Sequence, residues 1–202
     1  MECLLATTNQ AKRREILSIL AAVPVHWRTL VDLPGAPKVE ETGTTFEENA
    51  VLKARSYAEW SGLPTLADDG GLAIDALNGE PGVRSRRWIE GRDSSDEDLI
   101  TYTIESLRGV PPGKRGARMI VVEALAMPDG EVITSTAAIV GTIAVEASPL
   151  RDAGFPFRSV FYLPDLGKFY GELTLEEHER VNHRREALVP IAAYLRKLAN
   201  DR

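Results

Sequence analysis

Short continuous apolar runs alternate along the chain with longer stretches at helical spacing. Glu2 to Ala6 is mostly apolar and predicts a first strand. After the polar stretch Thr7 to Lys12, Ile16, Leu17, Ile19 and Leu20 recur at helical spacing among Arg13, Arg14 and Glu15. Val23 to Leu30 reads as a second strand or extended segment, and Asp32 to Lys38, with Pro34, Gly35 and Pro37, as a loop. Thr44 with Glu47 and Thr45 with Glu48 form two overlapping capping boxes, so a helix starts there and runs to about Ser61. Phe46, Ala50, Ala54, Tyr57 and Ala58 make its apolar face, and Asn49 and Lys53 lie on one polar ridge. Gly62 and Pro64 stop it. A short buried strand, Thr65 to Ala67, then runs into Asp68 and Asp69, and two glycines follow. Ser94 or Ser95 caps another helix carrying Leu99, Ile100, Ile104 and Leu107. Arg118 to Met127 and Glu131 to Val145 are strand-like, with Pro128-Asp129-Gly130 as a hairpin turn between them. Pro149 to Arg158 is a loop, and Val160 to Leu163 a short strand. Thr174 with Glu177 is a third capping box, and the final helix reaches about Lys197 with Pro190 as a kink or break. Helices interspersed with strands, then a hairpin, predict an α/β fold with a mixed sheet.

Composition narrows the class. The 202 residues suit one domain or two tightly joined lobes, and 44% apolar with 27% charged residues is globular. The net charge of −6 argues against a nucleic-acid polymer or an anionic membrane as partner. It leaves room for a small phosphorylated ligand. Cys3 stands alone, so no internal disulfide forms, which is compatible with a reducing cytosol. The apolar run after Glu2 is too short for a signal peptide, and no run approaches the length of a membrane span.

Two stretches carry candidate chemistry. Asp68 and Asp69 repel each other, and burial would penalise both; a divalent cation relieves both penalties. The alternative is a solvated turn, because Asp and Gly are ordinary turn residues. Thr7, Thr8, Asn9 and Lys12 stand where a helix N-terminus presents free N–H groups, a natural place for phosphate. Lys12 in that first turn opposes the helix dipole unless an anion is near. Here the alternative is a plain Asn9 cap with Lys12 in solvent. A solvated ridge is likewise the simple account of Asn49 and Lys53.

Four segments then stand together in order: Ala6 to Lys12, Glu40 to Ala54, Ala67 to Leu72, and Asn182-His183-Arg184. They resemble the motifs T-G-N-x-x-K, E-E-T-G-x-T-F-x-E-N-A-x-x-K-A, A-D-D-S-G-L and S-H-R of the inosine/xanthosine triphosphate pyrophosphatase family. The second motif is long and nearly complete. The resemblance spans essentially the whole chain, residues 1–202 as a single pyrophosphatase domain, and is strongest over residues 4 to 88. It implies a two-lobed α/β homodimer with an active-site cleft between the lobes. It also implies Mg²⁺-dependent hydrolysis of non-standard purine nucleoside triphosphates to the monophosphate and pyrophosphate, in the cytoplasm.

By the same resemblance, Glu40 and Asp69 are metal carboxylates, Asp68 helps them, and Asp69 takes a proton from the attacking water. Thr7, Thr8, Asn9, Lys12, Lys53 and Gly70 meet the phosphates. Phe155, Phe157, Arg158, His178, Asn182, His183 and Arg184 meet the base. The chain departs from the motifs at several points. Thr8 replaces the glycine of T-G-N, a poor exchange if the backbone there needs positive φ. Gly70 replaces the serine of D-D-S-G. Phe155 to Arg158 aligns with F-G-[YW]-D, so Arg158 stands where the family has an acid. His178 replaces a lysine and Asn182 a serine. The phosphate and metal half is retained while the base half is rebuilt. Three activities therefore stand open: the family's own, a pyrophosphatase for a different or modified base, and a nucleotide binder without catalysis. Arg158 itself either reads a base edge or turns to solvent or to an acid such as Asp152.

Overall fold

The computed structural model describes residues 1–200. In chain order the elements are β1 (Glu2–Leu5), α1 (Gln10–Ile19), β2 (His26–Thr29), α2 (Phe46–Ser61), β3 (Thr65–Ile74), α3 (Asp96–Ser106), β4 (Gly116–Ala126), β5 (Val132–Ile143), β6 (Phe161–Leu163), β7 (Lys168–Phe169), α4 (Leu175–Val181) and α5 (His183–Asn200). The strands form one sheet in the order β2-β1-β3-β4-β5-β6-β7. β1 pairs in parallel with β2 and β3, while β5–β6 and β6–β7 are antiparallel, so the sheet is mixed as expected. Among the described residues no helix is long and apolar enough to cross a membrane.

The chain divides into two compact units. The first comprises Met1–Asp69, Val121–Ala137 and the residues from Arg184 on. β1 and the first half of β3 are buried on both faces, as parallel strands flanked by helices must be. Cys3 and Leu5 of β1 and Leu66 of β3 pack with Ile16 of α1 and with Leu188, Ile191 and Leu195 of α5. The alternate residues Leu4 and Ala67 point to the other face, against Ala50, Ala54 and Tyr57 of α2. The second unit comprises Gly70–Ile120 and Ala138–His183. Its core is Leu72, Ile74, Ile100, Leu107, Met119, Ile143, Phe161 and Tyr170.

Three local expectations need correction. β3 does not end at Ala67 in a turn but continues through Asp68, Asp69, Gly70 and Gly71 to Ile74. Gly71 serves a close approach instead: a Cβ there would lie 2.0 Å from Ser85 Oγ. That hydroxyl accepts the Leu72 N–H at 3.0 Å and donates to the Gly82 carbonyl at 2.7 Å. The C-terminal helix is interrupted at Asn182, whose backbone is extended, and α5 continues through Pro190. Only one box forms at the start of α2. Glu48 serves both Thr44 and Thr45, while Glu47 accepts a hydrogen bond from Thr134 of β5 at 2.9 Å.

Candidate active site

The first unit gathers charged side chains around Asp68 and Asp69. α1 begins at the Asn9 cap, whose Oδ1 accepts the N–H groups of Ala11 and Lys12 at 2.8 and 3.1 Å. Thr7 Oγ1 accepts the Asn9 N–H at 3.3 Å. The cap is thus real, but Lys12 is not in solvent: its Nζ lies 2.8 Å from Asp68 Oδ2. The anion that a first-turn cation needs is supplied by the protein itself. Among the described residues only Asn78 and Glu90 are non-glycine residues at positive φ, so Thr8 lies in ordinary backbone space.

α2 contributes Lys53. The Thr45–Glu48 capping box fixes the helix start, and one turn on Asn49 is buried, not solvated. Asn49 Oδ1 accepts the Gly43 N–H at 2.8 Å and so ties down the loop before the helix. That loop presents Glu41, which pairs with Lys53 Nζ; the same Nζ lies 3.4 Å from Asp69 Oδ1. Glu40, the acid expected to meet a metal, precedes Glu41 in the same loop and is exposed.

Arg184, expected to meet the base, stands in the first turn of α5, 5% exposed, among acids. Its Nη1 donates to Asp68 Oδ2 at 2.9 Å and to Glu123 Oε1 at 2.7 Å, and its Nε lies 3.3 Å from Glu15 Oε2. Like Lys12, it is a cation at a helix N-terminus, and the two converge on one carboxylate oxygen.

These neighbours separate the two aspartates. Burial would raise Asp68, but Lys12, Arg184 and Lys53 outweigh it and hold the carboxyl well below its usual range. Asp69 moves the other way. Burial raises it, Lys53 and Lys12 only partly oppose that, and Glu41 and Asp68 add repulsion. Burial alone would lower the Lys53 ammonium, yet Asp69, Asp68 and Glu41 together raise it. Two adjacent carboxyls with opposite shifts is the pattern of a divided acid/base role. Asp69 Oδ2 is buried and has no hydrogen-bond partner, while Oδ1 faces Lys53. Oxygen donors of this kind suit a hard divalent cation. Among the described residues no three acids, histidines or cysteines converge closely enough to hold a metal by themselves.

The second unit gathers the aromatic residues. The Arg158 guanidinium lies 3.7 Å from the Phe155 ring centroid and 5.3 Å from that of Tyr170. Arg158 Nη1 donates to Asp152 Oδ2 at 2.8 Å, so the turn toward Asp152 is what the structure has. The His178 and His183 rings pack edge-on to Tyr170 at 5.2 and 6.0 Å. Asn182 Nδ2 is 3.3 Å from His178 Nδ1. Phe157 packs against the core of this unit. Gly70 belongs to the second unit, one residue beyond Asp69.

Sequence reasoning missed Glu15, Glu41, Glu123 and Tyr170. Glu123 alone left a signal, as a single acid inside the apolar run Met119 to Leu125. The other three are marked only by contacts across distant segments.

The mixed-sheet α/β fold is shared with known proteins over nearly the full chain. A HAM1 protein from Coxiella burnetii is 33% identical, with a TM-score of 0.85 over 98% of this chain and 99% of that one. A nucleoside-triphosphatase, dITP/XTP pyrophosphatase, from Mycobacterium abscessus is 36% identical, with a TM-score of 0.77 over 95% and 98%. The dITP/XTP pyrophosphatase of Geobacillus kaustophilus is 41% identical over 190 residues, 94% of this chain and 92% of that protein. Residues 3–194 match the Ham1 family, and the chain belongs to it.

Proposed function

We propose that this chain is a hydrolase that cleaves purine nucleoside triphosphates, with inosine and xanthosine forms among its substrates, to the monophosphate and pyrophosphate. The observation that carries the reading is Asp69, a buried aspartate with an unbonded oxygen, a raised proton affinity and Lys53 beside it. The relatives' names, dITP/XTP pyrophosphatase, supply the substrate class. Asp69 accepts the proton of the attacking water, a task that a raised proton affinity suits. Thr7, Thr8, Asn9, Lys12, Lys53 and Gly70 meet the phosphates, the two lysines supplying the charge. Glu40, Asp68 and Asp69 are the residues that would hold Mg²⁺, an ion usually bound by one or two carboxylates with phosphate and water. When bound, the ion polarises phosphoryl oxygens and neutralises developing charge. The reading includes a homodimer in the cytoplasm, as the family resemblance implies, with no membrane or nucleic-acid polymer as partner.

The test is pyrophosphate release from a panel of ribo- and deoxynucleoside triphosphates with and without Mg²⁺. Turnover of ITP, dITP or XTP that stops on chelation is expected. Nucleotide binding without any pyrophosphate release sinks the reading in favour of a non-catalytic binder.

One observation favours an altered base preference. Arg158 covers a face of Phe155 and brings only donors, whereas the aligned family position is acidic. Phe155, His178, Asn182 and His183 complete the proposed base-reading group, and Asp152 gains a role through its pair with Arg158. Donors favour base edges that present carbonyl oxygen or ring nitrogen, such as O6 and N7. In Arg158→Ala the ranking of ITP, XTP, GTP and ATP is expected to change more than the best turnover rate. An unchanged ranking removes Arg158 from base recognition.

A further inference from the structure

Glu123 has no part in the mechanism above, yet it sits beside it. It lies inside β4 between Val122 and Ala124 and is 0% exposed. One oxygen, Oε1, accepts from Arg184 Nη1 at 2.7 Å; the other, Oε2, is buried without a hydrogen-bond partner. Arg184 does not need this acid for neutrality, because Asp68 and Glu15 already pair with it. A third acid around one guanidinium leaves an excess of buried negative charge. Burial accordingly pushes the Glu123 carboxyl up to about 8, with Arg184 opposing and Asp68 adding repulsion. An apolar side chain is the ordinary occupant of such a core-strand position, since acids are almost never fully buried unless paired. Groups that break the folding rules without local compensation are expected at functional positions.

We propose that Glu123 is a positioning residue for the acid pair: by taking one N–H of Arg184 Nη1 while Asp68 takes the other, it holds the guanidinium between the two carboxylates and stops it from turning fully onto Asp68. The inference rests on the reading of Asp68 and Asp69 as the reacting acids. Nη1 carries two N–H groups, and with one on each carboxylate the fork has a single setting. Without the Glu123 oxygen, Arg184 closes on Asp68, draws that carboxylate toward itself and takes up more of its charge. Asp69, the next residue on the strand, shifts with it.

The test compares Glu123→Met, which keeps the length and removes the acceptor, with Glu123→Gln, which keeps an acceptor oxygen. In E123M, kcat for the best triphosphate is expected to fall about 10- to 100-fold, because misplacement by about 1 Å costs about 10²-fold. KM is expected to move less than about threefold, the mark of an effect on the reacting groups rather than on uniform binding. E123Q recovers kcat to within about threefold of wild type. A purely structural Glu123 moves Tm alone. E123M with wild-type kcat, or with a change in KM only, overturns the inference, as does E123Q falling as far as E123M. If E123M does not fold, Glu123→Asp, whose oxygen is withdrawn from Nη1 by one carbon, is read in the same way. Wild-type protein that releases no pyrophosphate sinks the functional reading itself. Active wild type with an equally active E123M sinks only the role of Glu123.

Discussion

Asp69→Asn is expected to lose about 10²–10⁴-fold in pyrophosphate release, the range typical of a lost general base, while its circular dichroism and melting stay those of the wild type. The amide has the shape of the carboxylate but neither accepts a proton from water nor carries the anionic oxygen a cation needs. Folding should tolerate the exchange. The Asp69 carboxyl is already disfavoured by burial and by the repulsion of Asp68 and Glu41, and its Oδ2 makes no hydrogen bond that would be lost. Retention of more than about a tenth of the wild-type rate places water activation elsewhere, since so small a loss is below that of a positioned base.

Arg184→Ala should fail differently, by unfolding. Arg184 is buried, and its removal leaves Asp68, Glu123 and Glu15 facing one another, with Lys12 remaining on Asp68. Breaking a buried ion pair from one side costs about 3–5 kcal/mol, a large part of the stability of an ordinary domain. The denaturation midpoint in urea, at unchanged slope, reports this loss. Arg184→Lys should recover little of it, because one ammonium cannot reproduce a planar fork that meets three carboxylates. A midpoint equal to that of the wild type in Arg184→Ala makes the cluster incidental to folding.

The helices were legible because their signals are local. Asn9, Thr45, Ser95 and Thr174 each cap within three residues of themselves, and apolar spacing then marks the face that packs. β3 was misread because a short-range rule was applied where a long-range contact rules. Asp-Asp-Gly-Gly has turn composition, but Gly71 is fixed by Ser85, fourteen residues on, and the acids by Lys12, Lys53 and Arg184. Glu40 and Arg184 were assigned through the motifs of the resemblance, which do not carry the ion pairs that Glu41 makes with Lys53 and Arg184 with Asp68, Glu123 and Glu15. Only the lone acid in the apolar run of β4 was visible in advance as an exception to a packing rule.

The hydrogen bond from Gly43 to Asn49 gives the loop that bears Glu41 no independent freedom. Its backbone is held by a side chain rooted inside the first turns of α2, and Thr44 and Thr45 are held by Glu48 of the same turns. Opening the loop therefore means fraying the helix, and the amides of both share one protection factor in hydrogen exchange. The acid beside Lys53 is held in place before any ligand arrives, and the entropy of ordering it belongs to folding rather than to binding.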